Sequence, residues 1–176
     1  MPDPRSAKDR GAVKLDVSRK LGMLFAMPVA ASIAIRSATP MDTDAIESLL
    51  VASALPIDGV REAVTDFLVA EAEGRVVGVV GMEYCGAYGL LRSTAVDEGW
   101  RGRGVARQLV ERIIAEAEAR DIRALFLLTT TAEHYFPSFG FQTTTRESVP
   151  DEIRATEEFR GACPASATVM CRTTSA

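Results

Sequence analysis

Residues 101–107 combine glycine, alanine and arginine in an order that suits the binding of an anion. Two glycines and an alanine let the backbone approach a ligand closely, and free N–H groups at a helix start favour phosphate oxygens. Three arginines add positive charge. A glycine-softened turn with unrelated arginines is the alternative interpretation. The segment reads Arg101, Gly102, Arg103, Gly104, Val105, Ala106 and Arg107.

Two other phosphate-binding motifs do not fit this segment. The dinucleotide fingerprint needs a third small residue at the position where Arg107 stands. The P-loop needs Gly-Lys-Ser or Gly-Lys-Thr, which the sequence lacks.

The segment lies between a predicted strand over 88–96 and a predicted amphipathic helix. That helix carries apolar residues at the i, i+3, i+4 spacing of one face, from Val105 to Ala117. A short apolar run over 124–128 predicts the next strand. A strand, a turn and a helix therefore hold the candidate anion site.

The rest of the chain alternates between strand and helix patterns. Further strands are predicted over 32–37, 67–70, 75–85, 139–145 and 165–171, and helices from residue 42 or 43, over 132–138 and over 151–159. A meander followed by strands interleaved with helices predicts a mixed α/β sheet with one core. The acidic stretch 147–158 is interpreted as a solvated helix face.

Composition excludes several classes of function. Net charge is −4 and aromatic residues make up 6%, which disfavours nucleic-acid binding. Three cysteines and one histidine at unsuitable spacings predict neither a metal site nor a disulfide framework. No run of about 18 apolar residues is present. We expect a cytoplasmic protein with no membrane or nucleic-acid partner.

Residues 1–30 differ from the remainder, because they hold all three lysines and carry a charge of +3. We interpret them as a flexible leader or the result of a mis-assigned start, with a secretory signal as the alternative. Residues 31–176 are predicted to form one domain.

The run Arg101-Gly-Arg-Gly104-Val-Ala106 resembles the Arg/Gln-x-x-Gly-x-Gly/Ala signature of the GNAT superfamily of acetyl-CoA-dependent N-acetyltransferases. The resemblance extends over about 32–172. It implies a mixed, mostly antiparallel sheet flanked by helices, with splayed central strands. The stretch 150–167, with 90–93, is similar to acetyltransferases associated with arsenic-resistance operons. That similarity suggests a link to arsenic tolerance.

The resemblance also implies how acetyl-CoA would bind as co-substrate. Backbone N–H groups from Gly102 to Arg107 would hold the pyrophosphate, and Thr94, Ala95 and Val96 would pair with the pantetheine. An N–H near Thr94 would polarise the thioester carbonyl. A neutral amine then attacks directly in a ternary complex.

Two positions depart from the family pattern. The family often places a general-acid Tyr where this chain has Phe136, with Tyr135 one residue earlier. Many relatives carry a carboxylate where this chain has Arg92, which strand alternation places on the same face as Thr94. Arg92 either binds an acidic group of the substrate or forms an ion pair with Glu83. Glu83 is the nearest candidate general base.

His134 and the cysteines are interpreted as structural residues, since each lacks partners at catalytic spacing. The leading hypothesis is acetyl transfer to the amine of a small molecule that bears a carboxylate or oxyanion. A non-catalytic acyl-CoA-binding module and a protein N-terminal acetyltransferase are the alternatives. A homodimer is compatible with the family.

Overall fold

The computed structural model describes residues 32–174 of the 176-residue chain. The predicted leader over residues 1–30 lies outside the described residues. Between residues 32 and 174, none of the helices combines the length and the apolar character needed to cross a membrane.

Seven strands and three α-helices make up most of the regular structure of the described residues. The strands are β1 (Ala34–Ser37), β2 (Phe67–Ala72), β3 (Arg75–Cys85), β4 (Tyr88–Val96), β5 (Ala124–Thr129), β6 (Gln142–Thr144) and β7 (Thr168–Thr173). The helices are α1 (Thr43–Ala52), α2 (Val105–Glu118) and α3 (Asp151–Arg154).

The strands form one sheet in the order β1-β2-β3-β4-β5-β7-β6. Neighbouring strands are antiparallel except for β4 and β5, which are parallel because α2 crosses over between them. The predicted mixed, mostly antiparallel sheet is confirmed. The predicted hairpin between β2 and β3 is also confirmed, and it turns at Glu73 and Gly74, with φ values of 52° and 73°.

Helices cover both faces of the sheet. The apolar face predicted for α2 is buried against one face of the sheet, in a cluster that includes Leu91. Gly78 lets this helix approach closely, since an added Cβ would lie 2.9 Å from Val105 Cγ1. On the opposite face, Ile46 and Leu50 of α1 pack in a second cluster.

The predicted helix over 151–159 is wrong beyond Arg154. Helix α3 ends there, and a wider π-helical segment follows over Glu158–Ala162. The Thr156 hydroxyl donates a hydrogen bond of 2.8 Å to the Ile153 carbonyl, which competes with continued helical bonding. Gly161, with φ 153°, interrupts the helical backbone conformation of this segment. The chain therefore bends at this segment.

The predicted helix over 132–138 is replaced by a turn and a 3₁₀ helix, Phe136–Phe139. Gly140 ends it with φ 84° and donates to the Pro137 carbonyl over 3.0 Å. The following strand is therefore shorter than the predicted 139–145, because its first residues belong to this turn.

Candidate active site

A cleft opens where β4 and β5 separate. The two strands pair only over Tyr88–Leu90 and Ala124–Phe126, although β4 continues to Val96 and β5 to Thr129. A cavity of about 380 Å³ lies between them and is lined by 91–96 and 127–129. The predicted splaying of the central strands is confirmed.

A β-bulge in β4 shapes the wall of the cleft. Ser93 has φ 55°, and Arg92 and Ala95 pair with Gly81 and Val79, so β4 carries one extra residue. Leu91 packs in the α2-side cluster, whereas Ala95 packs in the α1-side cluster. The bulge thus inverts the alternation of side chains. The expected shared face of Arg92 and Thr94 is therefore wrong.

Thr94 lines the cleft beside this bulge. Its Oγ1 is buried and has no hydrogen-bond partner among residues 32–174. A buried hydroxyl without a partner costs roughly 1–3 kcal/mol, which a ligand group in the cleft could offset.

The loop before α2 presents open backbone donors. Gly102 and Gly104 have φ values of 73° and 77°, which only glycine adopts without strain. Within the described chain, the N–H groups of 102–107 have no backbone acceptor, and the first bond to the loop runs from Gln108 N–H to the Gly104 carbonyl, 3.1 Å. No side chain caps this helix start. A second cavity of about 260 Å³ lies against these groups.

The three arginines surround this loop but already have intramolecular partners. Arg101 Nε donates to the Val96 carbonyl at 3.1 Å, and Arg107 Nε lies 2.8 Å from Glu111 Oε1. The Arg103 guanidinium stacks on Trp100, 4.7 Å from the ring centroid. All three are exposed, so these contacts are exchangeable at small cost.

Arg92 is buried in the wall of the larger cavity and contacts three other segments. Its Nη2 donates to the Asp58 carbonyl at 2.7 Å, its Nε lies 3.2 Å from Glu158 Oε1, and its Nη1 lies 3.6 Å from Glu83 Oε2. The ion pair with Glu83 that the sequence left open is therefore present. A guanidinium carries five N–H groups, of which these contacts engage one on Nε and one on each Nη.

Glu158 is the site-adjacent residue that sequence reasoning missed. It is 5% exposed, which corrects the interpretation of 147–158 as a wholly solvated face. Burial raises the pKa of Glu158 to about 7, the Arg92 charge opposes this, and the Glu83 charge adds to it. A useful signal was Gly161, because a glycine directly after the predicted helix over 151–159 marks a bend that can turn a nearby carboxylate inward.

Tyr135 lines both cavities, between the open cleft and the loop before α2. Its ring packs edge-on against Phe136 and Phe139, at 5.4 and 5.2 Å between centroids. Burial raises the pKa of its phenol. Phe136, at the usual Tyr position of the family pattern, is buried and has no hydroxyl.

His134 and the three cysteines do not have the surroundings of catalytic residues. The His134 side chain is 97% exposed and lies 3.7 Å from Glu133. Cys163 Sγ lies 4.0 Å from Glu158 Oε2, and burial raises its pKa, as it does for Cys85 and Cys171. Such thiols are poor nucleophiles near neutral pH.

Comparison with known proteins links part of this chain to the acetyltransferases. Residues 63–143 match the family described as acetyltransferase (GNAT) domain. An uncharacterized N-acetyltransferase of Chlorobaculum tepidum is 30% identical over 98 residues, which are 55% of this chain and 63% of that protein. The amino-acid acetyltransferase of Pseudomonas fluorescens is 32% identical over 89 residues, 49% of this chain and 21% of that protein. The chain thus spans less than two thirds of these relatives.

A solved structure supports the same fold. The N-acetylglutamate synthase of Neisseria gonorrhoeae, complexed with coenzyme A and N-acetyl-glutamate, superposes with a TM-score of 0.71 at 22% identity. The superposition covers 83% of this chain and 36% of that one. At this identity the likeness concerns the fold alone.

Proposed function

We propose that the chain is a GNAT acetyltransferase and that it moves an acetyl group from acetyl-CoA to the amine of a small molecule bearing a carboxylate or oxyanion. The observation that carries this proposal is the continuity of the two cavities. Tyr135 lines both, so the open donors before α2 and the cleft that holds Arg92 share one surface.

The residues at this surface fit acetyl-CoA as co-substrate. The N–H groups from Gly102 to Arg107 lack backbone acceptors in the described residues and lie at the positive end of a 14-residue helix, which suits a pyrophosphate. The backbone of Thr94, Ala95 and Val96 borders the cleft where β5 has diverged, which suits pairing with the pantetheine amides. When bound, the thioester supplies the activated acetyl group.

The chain's own residues would then act on the acceptor and the reacting carbonyl. A backbone N–H near Thr94 stabilises the oxyanion of the tetrahedral intermediate. Glu83, 37% exposed and beside Arg92, accepts the proton of the acceptor ammonium. The amine nitrogen bonds to the carbonyl carbon, the C–S bond breaks, and the Tyr135 hydroxyl donates its proton to the departing thiolate.

Arg92 would orient the acceptor through its charge. Its Nη N–H groups can bind one carboxylate or oxyanion in the cleft. Amino-acid acetyltransferases among the relatives support an acceptor that carries both an amine and a carboxylate.

Four further parts of the proposal concern context. Residues 31–176 act as one acetyltransferase domain in the cytoplasm, and the protein forms a homodimer. The similarity of residues 90–93 and 150–167 to arsenic-resistance-associated acetyltransferases supports a link to arsenic tolerance as part of this proposal. Growth of a deletion strain on arsenicals tests that link, and unchanged tolerance contradicts it.

Thiol release from acetyl-CoA tests the proposed activity over three panels: L-amino acids, their carboxamides and N-terminal peptides. We expect turnover with carboxylate-bearing amines and little with the carboxamides. Turnover confined to peptides would favour a protein N-terminal acetyltransferase instead. Tight binding of CoA with no turnover on any panel would favour a non-catalytic binding module.

A further inference from the structure

Two carboxylates share one buried guanidinium at the acceptor end of the cleft. Glu83 of β3 and Glu158 of the π-helical segment both contact Arg92, at 3.6 and 3.2 Å. With both acids ionised the cluster carries a net charge of −1, because a single cation faces two anions. A further anion that binds to Arg92 therefore meets like charge.

Of the two acids, Glu158 is the one shielded from water. Its side chain is 7% exposed, against 37% for Glu83. The groups that face it are Arg92 from β4, Glu83 from β3 and the Cys163 thiol of its own segment, with Arg146 stacked on the adjacent Phe159. Solvent screens the charge of the Glu158 carboxylate poorly. Its ionisation therefore depends on the strength of its ion pair with Arg92.

This inference rests on the proposed function. We propose that Glu158 determines acceptor specificity by competing with the acceptor's carboxylate for Arg92, so that binding an anionic acceptor is coupled to uptake of one proton by Glu158. The proton comes from solvent and bonds to Glu158, while the acceptor carboxylate binds the Nη N–H groups of Arg92 and replaces Glu158 as its counter-ion. Charge in the cleft is unchanged by the exchange.

The physical basis is that Glu158 and the acceptor carboxylate both interact with the Arg92 guanidinium, so that binding of the acceptor changes the pKa of Glu158. An acceptor carboxylate near Arg92 weakens the ion pair of Glu158 and adds a like charge, and both effects favour the protonated acid. Because the pKa of Glu158 is already about 7, the exchange operates near neutral pH. An acceptor without an anionic group does not compete with Glu158 and takes up no proton, so the pH dependence of binding separates anionic from neutral acceptors.

Calorimetry with product-like probes measures this coupling directly. The probes are N-acetyl-L-amino acids, including N-acetyl-L-glutamate, added to the CoA-saturated protein; they retain the carboxylate but have no titrating amine. Titrations in buffers of different ionisation enthalpy give the number of protons taken up. We expect about one proton well above pH 7, almost none below pH 6, and a Kd that rises by about tenfold per pH unit in the alkaline range.

Matched controls isolate Glu158. Glu158→Gln should abolish the proton uptake and flatten the pH dependence of Kd, whereas Glu157→Gln, which changes an exposed neighbour, should preserve both. The carboxamides of the same probes should bind without proton uptake.

The inference is overturned if no probe binds, or if the wild-type protein binds them without proton uptake across this range. It is also overturned if Glu158→Gln keeps the wild-type uptake. Thiol release on the amine panel distinguishes this failure from that of the proposed function, because the activity can stand while the coupling fails.

Discussion

Arg92 Nε lies 3.2 Å from Glu158 Oε1, and both side chains are more than nine-tenths buried. The pair joins β4 to the segment after α3, and the Asp58 carbonyl ties a third segment to the same guanidinium. These contacts therefore join three segments of the chain at the wall of the cleft.

Arg92→Ala should raise the KM for the acceptor by roughly 10- to 100-fold, because one or two charge-assisted hydrogen bonds are lost. The KM for acetyl-CoA should change by no more than about twofold, since the proposed CoA-binding groups lie elsewhere. Steady-state kinetics with each substrate varied in turn measures both values. Arg123→Ala, at an exposed position, is the control. Equal effects on the two KM values would contradict a role in acceptor binding.

Gly104→Ala should weaken CoA binding by roughly tenfold, because a side chain at φ 77° is strained and relief of that strain displaces the loop donors. Gly86→Ala is a matched control: its φ is 62°, it also has open space around an added Cβ, and it lies in the β3–β4 turn. Calorimetry with CoA compares the two. Equal losses of affinity would mean that the loop does not hold the cofactor.

Tyr135→Phe should lower kcat by roughly 10- to 100-fold, with little change in either KM, because the phenol acts on the departing thiolate. The raised pKa keeps the phenol protonated at neutral pH, as a proton donor requires. Tyr88→Phe controls for loss of a hydroxyl away from the cleft. An unchanged kcat would show that the thiolate leaves without this residue.

Glu158→Gln should gain stability relative to the wild type as the pH rises from 5 to 8. The pKa of Glu158 is raised to about 7 in the folded protein, so the stability it contributes is present at acid pH and is lost as pH rises through that value. The relative gain of the variant should grow to at most about 3 kcal/mol between pH 5 and pH 8. Urea unfolding at several pH values measures it. A difference that does not vary with pH would refute the assignment.

Asp42→Ala should lower the free energy of unfolding by about 2 kcal/mol at pH 7, because the carboxylate accepts from Arg36 and from the Thr39 N–H and hydroxyl. These bonds hold the pKa of Asp42 well below its usual range. The stability it contributes is thus present above about pH 4 and is lost as pH falls further. Asp44→Ala, at an exposed position, is the control in thermal unfolding. Equal losses for both variants would count against the network.

Much of the local structure follows from the sequence. The strand over Tyr88–Val96 has its predicted bounds, and α2 begins at Val105, directly after the loop whose glycines predict it. These features depend on neighbours in the chain: the spacing of apolar residues, and glycines where the backbone must turn. The bulge at Ser93 is different. Serine gives no local sign of a positive φ, so strand alternation misplaced Thr94 relative to Arg92.

The sequence by itself determined the fold class and the position of the glycine-rich loop before α2, because both depend on local patterns of apolar residues and glycines. Only the tertiary structure decided what surrounds Arg92. Glu158 reaches it because the chain bends after α3 and returns to the sheet, and its burial follows from that path. A carboxylate's environment depends on residues distant in the chain, which packing brings together and local periodicity does not specify.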